Sequence, residues 1–154
     1  MNYDYSRSFS LFVAIYLIVF LVSLVISLAV YVVTAFAFMG FFRKVGVQPW
    51  IAWVPYYSTW KWLEVGGQAG WLSLLLLVPY GSVATLVFLG IGMSRTGIAF
   101  RKPEAAYVVL GILLPFAWAF ILGGKNEVYQ PELLTQAGYP APRAGYGGVP
   151  RAGF

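Results

Sequence analysis

The chain has 154 residues, 60% of them hydrophobic and only 10% charged, with a formal charge of +5. Soluble domains carry roughly a quarter of their residues as Asp, Glu, Lys and Arg, so lipid has to cover much of this chain. Cysteine and histidine are both absent, which excludes disulfides, thiolate zinc sites, cysteine nucleophiles, and histidine-based triads or haem ligation.

The first predicted element runs from Phe9 to Phe42 without a charge. Eighteen or more such residues read as a membrane-crossing helix. At about 1.5 Å per residue it reaches roughly 50 Å against about 30 Å of hydrocarbon, so it tilts or extends past the membrane. Ala35-Phe36-Ala37 imitates a signal-peptidase site, but the apolar run before it far exceeds the usual stretch of about 7–15 residues, and the segment reads as an anchor. Tyr16, Ser23, Ser27 and Thr34 fall on one stripe of this helix, where small and hydroxyl-bearing residues favour helix packing.

Arg43 and Lys44 end that run. The aromatic stretch that follows holds Trp50, Trp53, Tyr56, Tyr57, Trp60, Trp62 and, further on, Trp71. Pro49 and Pro55 cut it into pieces too short to span a bilayer. Indole and phenol rings concentrate at headgroup depth, half buried with the N–H or O–H wet. Residues 50–63 are therefore expected to form an interfacial or shallow re-entrant element. A sugar-binding platform is the competing reading, and the scarcity of polar partners disfavours it. Lys61 and Glu64 are spaced to pair on one helix face.

The second predicted span covers residues 70–93, with Pro79 and Gly81 as a central kink. The alternative is a re-entrant hairpin with its tip at Pro79–Gly81, each half too short to cross alone. Lys102-Pro103-Glu104 makes a good helix start. The third span, residues 105–122, carries a kink at Pro115 and ends at Gly123-Gly124. Ala119 and Gly123 have small-residue packing spacing, as do Gly66 and Gly70.

Residues 1–124 thus read as a membrane domain and 125–154 as a Pro/Gly/Tyr-rich tail. Pro142-Arg143-Ala144-Gly145-Tyr146 recurs as Pro150-Arg151-Ala152-Gly153-Phe154. A disordered tail is one reading. A docking peptide using Arg143, Tyr146, Arg151 and Phe154 is the other. With three spans, Arg43, Lys44, Lys61, Lys125, Arg143 and Arg151 share one side and Arg7, Arg95, Arg101 and Lys102 the other, which leans toward a cytoplasmic C-terminus in a multi-pass protein of the cell membrane.

The spans contain no ionisable residue, which argues against a proton relay or voltage sensor. Ser58 and Lys61 have helical spacing, but a Ser–Lys hydrolase needs a desolvated lysine, and Lys61 is expected to snorkel to water. No catalytic, cofactor or metal site is expected. The bilayer is the first partner, with affinity for anionic headgroups; a protein partner or a second copy is expected too. Nucleic acid is not, because the basic residues are scattered.

The order Lys44, Gly46, Trp50, Pro55-Tyr56, Gly67-x-x-Gly70-Trp71, Pro79 and Leu114-Pro115-Phe116 resembles a family of small bacterial membrane proteins of unknown function. Some of its members are labelled signal peptidase or large exoprotein. The resemblance covers about residues 40–130 and implies the multi-pass helical architecture. It implies no peptidase activity, since no Ser–Lys dyad is evident, and "PYYST" departs from the family's common Asn-containing form. The expected fold is thus an all-α integral membrane protein with three transmembrane helices, an aromatic interfacial or re-entrant element and an extended tail. The leading functional expectation is a non-enzymatic accessory or scaffold subunit of a membrane assembly. A channel or transporter component comes second and an intramembrane hydrolase third.

Overall fold

A computed structural model describes residues 2–147. Among them every regular element is helical, and two helices are long and apolar enough to cross a membrane: Asp4–Val45 and Gly81–Ala99. The chain divides into two compact units between Val33 and Thr34. The first unit belongs to α1 (Asn2–Val45), whose apolar side chains from Leu11 to Val30 are exposed on every face.

The second unit contains the last turns of α1, then α2 (Pro55–Val65), α3 (Gly81–Ala99), α4 (Glu104–Leu113), α5 (Pro115–Leu122) and α6 (Glu132–Gln136). Short 3₁₀ segments lie at Pro49–Trp53, Gly70–Leu77 and Gly145–Gly147. The expected continuous run over residues 70–93 is broken. Gly70–Leu77 turns back on α3, and the Leu72 carbonyl approaches the Thr85 hydroxyl at 3.5 Å. Pro removes a helix hydrogen bond, but the reversal also needs Tyr80 at φ 64° and Gly81 packed onto the Leu75 carbonyl, where a Cβ would collide. The run over residues 105–122 is likewise two helices, split at Leu114 (φ −137°, ψ 70°), with Pro115 starting α5. Pro at that position lacks only an N–H that a helix start leaves unused.

The hydrophobic core joins the end of α1 to α2, α3 and α5. Phe38, Phe41, Phe42 and Val45 pack with Trp62, Met93, Trp118 and Leu122, all buried. Trp118 is central, 5.0 Å from Phe41 and 5.2 Å from Trp62 between ring centroids. Two close helix approaches hold this arrangement. A Cβ on Gly66 would lie 2.6 Å from the Gly92 Cα, and one on Gly123 would lie 2.8 Å from the Phe41 nitrogen.

Candidate functional site

The aromatic stretch folds as the 3₁₀ turn Pro49–Trp53 followed by α2. Its rings divide into two populations. Trp50, Trp53, Tyr56, Tyr57 and Trp71 are exposed. Trp62, expected at the interface, is buried instead against Phe38 at 4.8 Å and against Trp118. The reason is helical phase: the part-buried pair Lys61 and Glu64 takes one side of α2, which turns Trp62 and Leu63 into the core. Trp60 lies between, covering Gly70 and donating to Glu64 Oε1 at 2.8 Å.

Seven charged residues of this unit make contacts that join helix ends. Lys61 pairs with Glu64 at 2.7 Å, as its spacing predicts. Lys102 pairs with Glu127 at 2.7 Å, and Lys44 donates to the Glu127 carbonyl at 2.7 Å. The hydrogen bond to Glu127 raises the Lys102 pKa, opposed in part by desolvation. Arg95 donates to the Gly66 carbonyl at 3.3 Å and stacks over Tyr139. Ser94 donates to Glu104 at 3.0 Å. The ends of α1, α2, α3 and α5 and the start of α4 are thereby tied into one polar layer.

The chain after α5 closes over that layer. The Gln130 N–H donates to the Ala99 carbonyl and the Arg143 N–H to the Glu64 carbonyl. Leu134 and Ala144 are buried, and the Tyr146 ring lies over Gly46. Arg143 and Tyr146 themselves remain exposed. Arg151 and Phe154, the other expected docking residues, lie outside the described residues. Tyr129 stacks on Phe100 at 5.2 Å; burial, and then the Glu132 charge, push its phenol well above the usual tyrosine range.

Beneath the polar layer, between the Gly70–Leu77 segment and α3, runs a short buried polar strip. Gln68 Nε2 donates to the Phe88 carbonyl at 2.6 Å, while its Oε1 has no protein partner. Ser73 Oγ is fully buried and also unpaired within the chain. Thr85 bonds back to the Gly81 carbonyl at 3.0 Å. Buried polar atoms of this kind are ordinarily satisfied, so the strip is a candidate contact for a polar atom from outside the chain.

Residues 50–131 match the sequence profile of a family of unknown function, DUF5684. The chain belongs to that family. The DUF5684 span begins at Trp50 and ends at Pro131, at the start of α6, so it contains most of the aromatic turn, both reversed runs, Glu127 and Gln130, while the apolar length of α1 and the chain from α6 onward fall outside it. No curated protein and no solved structure matches the chain.

The remaining predicted residues are placed as follows. Tyr16, Ser23 and Ser27 lie on the exposed length of α1, and Thr34 is partly buried. Ala119 is buried, and Gly123 sits against Gly40 and Phe41. Pro79 and Gly81 flank the reversal, and Pro115 opens α5. Sequence reasoning missed Gln68, Ser73 and Thr85. Their signal was three hydrogen-bonding side chains in otherwise apolar segments.

Proposed function

We propose that this DUF5684 protein is a non-enzymatic accessory or scaffold subunit of a membrane assembly. The observation that carries the reading is how the second unit uses its charges. Lys44, Lys61, Arg95 and Lys102 all bind carboxylates or carbonyls of their own chain and hold its loops together. Lys61, the one lysine at hydrolase spacing from a serine, is ion-paired to Glu64; an ammonium so held is a poor general base. The exposed apolar length of α1 supplies an anchor and a surface for neighbouring helices, along the stripe of Tyr16, Ser23 and Ser27.

A small channel or transporter component is the second reading, and the buried strip of Gln68 and Ser73 favours it. Unwound segments with unpaired polar atoms are a feature of transport sites.

The test is stoichiometry in mild detergent, by native mass spectrometry of the full chain and the double variant Ser23→Leu/Ser27→Leu. A scaffold gives a fixed ratio to a partner or to further copies, weakened by the double variant and unaffected by Val25→Leu on another face. A monomer, or equal effects of both changes, rejects the scaffold reading.

A further inference from the structure

We propose that the unit from Thr34 onward is inserted into the bilayer from the cytoplasmic side without crossing it, entering and leaving on one face, so that the chain crosses the membrane once, on α1. This replaces the three crossings that hydropathy alone suggests, and its surface partner is a leaflet of lipid with anionic headgroups.

The apolar runs reverse. Leu72 meets Thr85, Gln68 meets Phe88, and Gly66 meets Gly92, a register in which the chain returns along itself. α4 runs back beside α3, with Gly97 near Glu104 and Gly90 near Val108 and Ile112. The turns at Pro79-Tyr80 and Leu114-Pro115 therefore point to the same end, away from the polar layer. A shallower loop turns at Val54-Pro55, beside Phe36 and Met39 of α1. Every turn carries a proline.

The depth is wrong for crossing. α4 has 10 residues and α5 has 8, about 15 Å and 12 Å at the helical rise. The 3₁₀ segment Gly70–Leu77 covers about 16 Å. α3 has 19 residues, but Arg95 is already in the polar layer, and the charge-free part Gly81–Ser94 covers about 21 Å. Hydrocarbon is about 30 Å thick.

The turns are built for lipid. Irregular backbone is tolerated in hydrocarbon only when its polar groups are satisfied, and several of those at the turns are bonded within the chain. Val54 N–H donates to Ile51, Val78 to Leu75, Gly81 to Val78, Leu114 to Leu110, and Trp118 to Leu114. The flanks expose Leu77, Val78, Val83, Val87 and Leu113, surface that acyl chains would cover. By contrast, Lys44, Lys61, Arg95 and Lys102 are tied into the polar layer, and from Arg43 to Arg143 the eight Lys and Arg outnumber the four carboxylates, an excess that favours the cytoplasmic side.

The chain has no cysteine, so single-cysteine labelling with a membrane-impermeant maleimide is unambiguous. Gln48→Cys, Arg101→Cys and Asn126→Cys are expected to react in inside-out vesicles only, and Ser8→Cys in right-side-out vesicles only. Ser82→Cys, beside the turn, is expected to react in neither until detergent is added. Arg101→Cys reacting on the side of Ser8→Cys restores three crossings and overturns the proposal. Ser82→Cys reacting in intact vesicles makes the turn reach water and overturns it equally. Reaction of the three loop positions from outside rejects the cytoplasmic assignment. Because Gln48 accepts from Trp50, Arg43→Cys replaces it should Gln48→Cys melt below the parent.

Discussion

Gly66→Ala probes the approach on which the first hairpin depends. The added Cβ would lie 2.6 Å from the Gly92 Cα and 3.2 Å from its carbonyl oxygen. Carbon atoms rest at about 3.5–4.0 Å, so the end of α2 must retreat by roughly 1 Å. Both obstacles are backbone, and no side chain can swing aside. That retreat stretches the 2.6 Å bond from Gln68 to the Phe88 carbonyl past hydrogen-bonding distance and lengthens the Arg95 contact with the Gly66 carbonyl, already 3.3 Å. Overpacking costs about 1–3 kcal/mol, and a buried hydrogen bond lost costs about 1 kcal/mol more; the expected destabilisation is about 2–4 kcal/mol. Gly90→Ala is the control, because its Cβ would meet only Ile112 and Val108 at 3.8 and 3.9 Å. There the helix gains up to about 1 kcal/mol in propensity. Tryptophan-monitored unfolding in detergent, with denaturant, reads both. If Gly66→Ala is as stable as the parent, α2 and α3 do not touch at this crossing, and the register of the hairpin is wrong.

Trp118→Ala, at the centre of the core, should cost about 3–5 kcal/mol, whereas Trp71→Ala, 56% exposed, should leave detergent stability nearly unchanged; equal losses would refute the division of the tryptophans. Tyr80→Gly relieves a left-handed residue and should stabilise by about 1 kcal/mol in detergent, and a loss seen only in nanodiscs would mean that lipid holds the ring. Tyr129 has its folded pKa raised above the ordinary 10.0, so above that pH the unfolded chain ionises first and stability falls. Tyr129→Phe should make the alkaline unfolding curve shallower without loss at neutral pH, because the buried hydroxyl has no protein partner; a lower midpoint at pH 7 would reveal a bound partner.

How much of this was legible in the sequence depends on whether a feature is local. The charge-free runs and the prolines that interrupt them are local, and Pro79, Gly81 and Pro115 sit where the chain breaks. Whether a break is a kink or a reversal is not local. Proline only deletes a hydrogen bond and leaves both outcomes open. The choice comes from Gly81 fitting against the Leu75 carbonyl and from Gln68 and Gly66 meeting α3, contacts that need the folded hairpin to exist. Trp62 is an intermediate case. Among seven similar-looking aromatics it is picked out by Lys61 and Glu64, whose helical phase turns it inward. The polar strip was hidden because Gln68, Ser73 and Thr85 are far apart in a pattern read only for hydrophobicity. Hydropathy measures whether a segment prefers lipid, and the three apolar runs do. It does not measure whether the segment's two ends emerge on the same side. In the single crossing we propose, that is read from the charges that flank the runs: Lys44 and Lys102 flank different runs yet both bind Glu127, and residues in direct contact cannot lie on opposite faces of a membrane.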